Sequence, residues 1–561
     1  MTTSIISAAH RATGTDTAAR PLPVWTVPAI AASLILAIVL AYQGIELNGF
    51  HFDDSPNILD RPAITISQLS LAALANAAHN AFLPLRPLPS ITFALDWWRG
   101  GGAPAPFLVT NLALHILSAC GVLALLLRIL NIANPGKSPA PAVIAATAAA
   151  LWWALQPIHV QAVSYVVQRM TILAALFSLL SVLAYIQGRS ADRHRAIWLV
   201  ASLASFALGS MSKENTWITP LLLLSAEFLI VRHGKSPVRS SLDRMLIALP
   251  ILAGLAVLAD LMASGPLGRW ALAGYETRSF TLAERLLTQP KVVLFHVSQI
   301  LWPLPQRFSL EHDVEIIRSA ASIQFWLPAL VITAWCATAL LLTTRPRHRI
   351  TAFWMLWIPV TLAIESSFVP LELVFEHRMY LPSVGFAGLI AQGLSGLPSK
   401  IGVSTATGWA ILSVAILLSL WSTHERIPQW RTETSLYQQA VKVAPNSARA
   451  WNHLGVSLLN QRRSEPLSSE RYARALAAFG ESIRLDPNYA APWTNRGVTR
   501  WIHNEPDAAQ HDLETAIALS PKEAAAFHYL FEIYQAAGRE IDARAARHRA
   551  CFLGVRGDCY R

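Results

Sequence analysis

The chain has 561 residues, 53% of them hydrophobic and only 14% charged, with a formal net charge of +11. Soluble domains carry about 25% charged residues, so this length does not translate into a string of water-soluble domains. The positive balance does not point to nucleic acid either, because the basic residues are spread over alternate connections between apolar runs and form no single patch.

Residues 1–23 read as a cytoplasmic tail, and residues 24–425 as a membrane domain. Its apolar runs are about 18–22 residues long, enough to cross a hydrocarbon core of about 30 Å. They lie near 24–42, 106–128, 141–157, 165–187, 196–211, 216–232, 245–264, 324–343, 352–370, 379–396 and 404–422. That predicts an all-α, polytopic helix bundle of about eleven spans. No small-residue cleavage motif follows the first run, which reads as an anchor rather than a signal peptide. Pro290, Lys291, His296 and Pro303 interrupt the stretch 286–304, which reads as re-entrant or interfacial. Arg189, Arg193 and Arg195, and again Arg345, Arg347 and Arg349, fall in alternate loops. Basic residues stay on the cytoplasmic side. An odd number of spans then places the N-terminus inside and the C-terminal region outside a bacterial inner membrane.

Two external loops are long, 44–105 and 264–323, and long connections are often functional. The first holds Phe52-Asp53-Asp54. A carboxylate there can take the proton of an attacking hydroxyl, and two together could hold a divalent metal; the plainer reading is an Asx turn before Pro56. Arg86 follows, then Asn111 and His115, four apart and so on one helix face. His159, Arg169, Lys213-Glu214 and Glu376-His377-Arg378 lie in or beside later external loops. Arg169, Lys213 and Arg378 run against the positive-inside trend. They suit a lipid-linked phosphate, which Arg can grip with two parallel hydrogen bonds; pairing with Glu214 or Glu376 is the alternative.

Residues 426–561 read as a water-exposed repeat domain. Pro445-Asn446, Pro487-Asn488 and Pro521-Lys522 each close a helical pattern; the last two are 34 apart, the tetratricopeptide period. The first two are 42 apart, which fits an insertion around 462–470. Trp451, Leu454 and Gly455 recur as Trp493 and Gly497. About three helix hairpins result, each needing a neighbour to cover its apolar face. Trp451, Asn452, Trp493 and Asn495 are the candidate contacts for an extended acceptor. Cys551 and Cys559 could form a disulfide in an oxidising compartment.

Taken in order, Phe52-Asp53-Asp54, Arg86-Pro87-Leu88, Asn111 with His115, Pro157-Ile158-His159, Ser212-Lys213-Glu214, Glu284-Arg285 through Gln289, Glu376-His377-Arg378 and the trailing repeats resemble the transmembrane and tetratricopeptide-repeat-containing O-mannosyltransferase family. The resemblance implies a GT-C glycosyltransferase fold and a polyprenyl-phosphate sugar donor used on the far side of the bilayer. It makes Asp53 or Asp54 the catalytic carboxylate and Arg378 a phosphate contact, with Lys213, Arg169 and Arg86 as further cations. His115, His159, Glu214, Glu376, His377 and Asn111 become supporting residues. The acceptor is a protein held by the repeats, or an envelope glycan, and a divalent metal is possible but not required. His377, Gln168 and the short repeat array depart from the family pattern. Three other readings compete: a membrane scaffold recruiting envelope, pilus or secretion proteins, an oligosaccharide ligase using a diphosphate-linked glycan, and a transporter. Eleven spans exceed what an anchor needs, and a transporter places ionisable groups at the bilayer midplane, where these runs carry almost none.

Overall fold

The computed structural model describes residues 26–81, 85–135, 138–191, 193–232, 241–263, 265–276, 278–396, 405–460 and 468–555. The tail expected over 1–23 and Cys559 of the expected disulfide lie outside them. Among the described residues every regular element is a helix.

The N-terminal part runs α1 (Thr26–Ala41), α2 (Leu71–His79), α3 (Pro87–Gly100), α4 (Pro104–Ala133), α5 (Pro139–Ala154), α6 (Val160–Ser164), α7 (Arg169–Ser190), α8 (Arg195–Ser210) and α9 (Thr219–Ala226). It continues as α10 (Ser241–Met262), α11 (Pro266–Tyr275), α12 (Leu282–Leu301), α13 (Ile323–Thr343), α14 (Arg349–Leu362), α15 (Ser383–Gly396) and α16 (Thr405–Arg426). Proline opens α3, α4, α5 and α11, where its missing N–H costs no hydrogen bond. Thr281 and Glu284 form a reciprocal capping box at the start of α12.

Each of the eleven apolar runs coincides with a helix, but the helices are unequal in length. Among the described residues six are long and apolar enough to cross a membrane, or up to seven if α5 and the Pro157–Ser164 segment, bent by 49°, are one span. Helices α8, α14 and α15 have 16, 14 and 14 residues, about 21–24 Å at the helical rise. The stretch 286–304 forms most of α12, one 20-residue helix that carries Pro290 inside it. The bundle closes tightly on tryptophan: Trp153, Trp354 and Trp357 are fully buried, and Gly388 lets α15 lie directly against the Trp354 ring.

Past the turn Ile427–Trp430 come α17 (Glu433–Val443), α18 (Ala448–Asn460), α19 (Ser469–Leu485), α20 (Ala490–Ile502), α21 (Pro506–Leu519), α22 (Ala524–Ala536) and α23 (Glu540–Phe552). Helices α18 and α19, α20 and α21, and α22 and α23 pack as pairs, and each pair rests on the next. Gly455 sits on the Phe479 ring, and Gly497 on Leu513, where a Cβ would come within 2.8 Å of its Cγ. Glycine is needed at both because the helices of a pair touch there.

This array does not hang free of the bundle. The Gly49 N–H donates to the Trp430 carbonyl at 3.3 Å, and the Asn446 N–H donates to the Asp313 carboxylate at 2.9 Å.

Candidate functional site

The two adjacent aspartates have different surroundings. Asp54 is fully buried, and its carboxylate accepts the N–H of His51 at 2.8 Å and of Val167 at 2.7 Å. Burial pushes its pKa up to about 8, against the pull of those N–H groups. It ties the first loop to the start of α7. Asp53 is exposed. Its backbone N–H donates to the Tyr165 hydroxyl at 2.8 Å. Partial burial raises the Asp53 carboxyl pKa, the Tyr165 hydroxyl lowers it, and the charge of Glu372 raises it again. Phe52, just before it, is held at φ +48°, an unusual conformation for a bulky residue. Behind the loop, Tyr165 stacks on Trp430 with ring centroids 5.8 Å apart, and the Trp430 carbonyl bonds the His51 ring at 2.6 Å. The chain therefore presents one aspartate outward and uses the other as a clamp.

Three of the four expected cations gather. Arg86 clasps Glu214 with Nη2 at 2.6 Å and Nε at 3.0 Å from both oxygens. Lys213 pairs with Glu365 at 2.6 Å and also bonds Thr171 at 3.1 Å. Burial pushes the Lys213 pKa down; Glu365 opposes this, and nearby Arg86 and Arg378 add to it. Arg378 donates to the Leu373 carbonyl at 3.1 Å and lies 5.4 Å from the Phe375 ring centroid. Burial lowers its pKa, while the charges of Glu365 and Glu372 raise it. Among the described residues Arg378 makes no ion pair within 4.0 Å, so its charge is the least spent of the three. The charge of Glu372 raises the pKa of both the Asp53 carboxyl and the Arg378 guanidinium.

Arg169 lies elsewhere. It is fully buried, paired with Asp96 at 2.5 Å, and bonded to Asn111 Oδ1 at 2.7 Å and the Phe107 carbonyl at 2.8 Å. Asn111 in turn donates to the Val163 carbonyl at 3.1 Å. His115 bonds Tyr380 at 2.6 Å and the Ala154 carbonyl at 2.9 Å, and His159 packs on Trp153 and Tyr380, both at 4.8 Å. These groups hold the bundle beneath the site. Glu376 is fully buried: burial raises its pKa, but Arg426 at 2.9 Å and His312 at 3.1 Å outweigh that and lower it. The His377 N–H and ring both reach Gln161 Oε1, at 2.9 and 3.1 Å.

The decisive additions are residues that no short motif singled out for this role. Arg285 donates to the carbonyls of Ser367 at 2.9 Å, Glu365 at 2.7 Å and Glu372 at 3.2 Å, and also to that of Leu371. One turn on, Gln289 donates to the Leu373 carbonyl at 3.2 Å. One face of α12 thus shapes the loop that carries Glu365 and Glu372. Arg285 and Gln289 lie in the Glu284–Gln289 segment that carried part of the resemblance, and their i, i+4 spacing was the available signal. Beside that loop lies an apolar cavity of about 480 Å³, lined by Leu286, Val293, Trp335, Ile358, Ser366 and Phe386 among others. In the repeats, the Trp451 and Trp493 indoles lock their hairpins onto the Pro445 and Pro487 carbonyls at 2.9 and 3.1 Å. Asn495 donates to Asn452 at 2.9 Å, joining two hairpins. The tandem aspartates do not fit a metal pair: both Asp54 oxygens already take backbone N–H groups. Among the described residues no three His, Cys, Asp or Glu side chains converge as ligands.

Taken together these features define a protein with several membrane-type apolar helices and a charged site at one end of the bundle, roofed by helix pairs. No family model matches the chain. Curated proteins do, and they bear out the resemblance carried by the motifs: the chain is similar in sequence to protein O-mannosyl-transferases of the TMTC group. It is 26% identical over 475 residues to the human protein O-mannosyl-transferase TMTC4, covering 76% of this chain and 63% of that relative. It is 25% identical over 464 residues to human TMTC3, covering 74% and 48%, and 21% identical over 444 residues to the Caenorhabditis elegans protein O-mannosyl-transferase F38B6.6, covering 74% and 58%. The chain thus spans between about half and two thirds of the length of these relatives.

Proposed function

We propose that this chain is a GT-C-type membrane glycosyltransferase that moves a sugar, mannose by analogy with its relatives, from a polyprenyl-phosphate donor to a hydroxyl of a protein. The carrying observation is that an exposed carboxylate and a buried cation flank one loop: Phe52, beside Asp53, meets His453 at 6.2 Å, one turn from the Arg449 that pairs with Glu372 at 3.1 Å, and Arg378 bonds the neighbouring Leu373 carbonyl at 3.1 Å. Asp53 takes the proton of the acceptor hydroxyl. The hydroxyl oxygen bonds to the anomeric carbon as the bond from that carbon to the phosphate oxygen breaks. The polyprenyl phosphate leaves with the electron pair, and Arg378, Lys213 and Arg86 stabilise its growing charge. The apolar cavity beside Gln289 and Ser366 suits the first units of the polyprenyl chain. On this reading the bundle crosses a bacterial inner membrane about eleven times, residues 24–425 are the transferase domain, and residues 426–561 are external tetratricopeptide repeats that hold the acceptor.

The test is transfer from synthetic polyprenyl-phosphate mannose to peptide by purified protein. Asp53→Asn should lower turnover by about 10²–10⁴-fold, the usual worth of a general base. Asp54→Asn should act through stability of the first loop. Wild-type turnover in Asp53→Asn would remove the assignment.

A further inference from the structure

The first repeat hairpin touches the site itself. Arg449 on α18 pairs with Glu311 at 2.9 Å and with Glu372 at 3.1 Å. Glu372 is held from the other side by Arg278 at 2.5 Å. Glu311 is 9% exposed and Arg449 is its only ion-pair partner among the described residues, so an undocked repeat array would leave a buried carboxylate uncompensated. Four residues on, His453 stacks on Tyr437 at 5.0 Å and meets Phe52 edge-on at 6.2 Å, against the strained residue that precedes Asp53. Gln439 of α17 donates to the Phe308 carbonyl at 3.3 Å, and the Asn446 N–H to Asp313 at 2.9 Å. Docking contacts thus reach the first loop, the 264–323 loop and the 365–375 segment together.

We infer that the first hairpin is a structural part of the active site, with Arg449 a positioning residue that holds Glu372 beside the Leu373 carbonyl on which Arg378 docks, rather than part of a tether that only concentrates acceptor. This rests on the glycosyl-transfer reading. A flexible tether raises effective concentration and leaves the chemistry alone, so its loss raises KM for long acceptors. A wall of the site does the opposite: its loss lowers kcat even for an acceptor too short to reach the repeats.

The experiment uses the full chain, synthetic polyprenyl-phosphate mannose and a short threonine peptide, with kcat and KM measured separately. Arg449→Gln should lower short-peptide kcat by about 100-fold, the scale of a misplaced catalytic geometry, with KM little changed; Arg449→Lys should recover most of it. Unchanged short-peptide kcat in Arg449→Gln, with only the KM of a protein acceptor raised, overturns the inference. A folding defect is separated by a second protein, Asp313→Cys with Asn446→Cys, oxidised to lock the hairpin in place. Retained short-peptide turnover after locking, together with the kcat loss in Arg449→Gln that a tether does not predict, supports a fixed wall, and turnover abolished by oxidation and restored by reductant overturns it. An inactive wild-type chain would instead strike the glycosyl-transfer reading.

Discussion

The pair between Lys213 and Glu365 allows structure and chemistry to be separated. Its N–O distance is 2.6 Å, and the two side chains are only 10% and 4% exposed. Lys213→Met removes the cation and leaves the Glu365 carboxylate buried with its partner gone. Removing one member of a buried pair costs about 3–5 kcal/mol, so Lys213→Met should show a large drop in thermal stability in detergent. Replacing both by apolar residues of similar volume is about neutral or better, so Lys213→Met with Glu365→Leu should recover the lost stability. Activity should not follow. If Lys213 meets the leaving phosphate, the double variant lacks that charge as surely as the single one, and its turnover should stay about 10²-fold or more below wild type. Thermal unfolding and mannosyl transfer on the same preparations decide the matter. Stable double variant with wild-type turnover would reduce Lys213 to a structural ion, and an unaffected single variant would refute the burial argument itself.

Other expectations are simpler. Arg169→Met should cost about 3–5 kcal/mol of stability by stranding Asp96, while the KM for donor in surviving protein stays unchanged. Asp53 must be ionised to act as a base, and its pKa is raised. Activity should therefore fall as pH drops through a value above the ordinary aspartate figure of about 3.9, and Tyr165→Phe, which removes a lowering hydroxyl, should move that limb upward in the pH profile of kcat. Arg285→Gln withdraws donors from four carbonyls of the 365–372 loop. Unpaired buried carbonyls cost about 1–3 kcal/mol each, so increased proteolysis within that loop should accompany lost turnover. Gly497→Val should clash with Leu513 and cost about 1–3 kcal/mol by overpacking, with protein acceptors affected more than short peptides.

What the sequence by itself determined is local. Apolar runs became helices because their side chains offer no hydrogen-bond partners, so the backbone must pair its own N–H and C=O groups, and proline at a first turn or glycine at a helix contact acts within a few residues of its position. The order of Phe52-Asp53-Asp54, Lys213-Glu214 and Glu376-His377-Arg378 was enough to single out the loops that the proposed function uses. Span length was less legible, since α14 and α15 are cut to 14 residues by turns that apolar composition does not reveal. Only the tertiary structure decided which aspartate faces outward. Asp54 is silenced by an N–H at Val167, 113 positions away, and Arg169 is drawn off the site by Asp96 and Asn111. Glu372 and Arg449 carried no motif, yet they stand 77 positions apart in sequence and 3.1 Å apart in space. A charge is assigned its work by whatever partner folding places beside it, and that partner leaves no trace in the residues on either side.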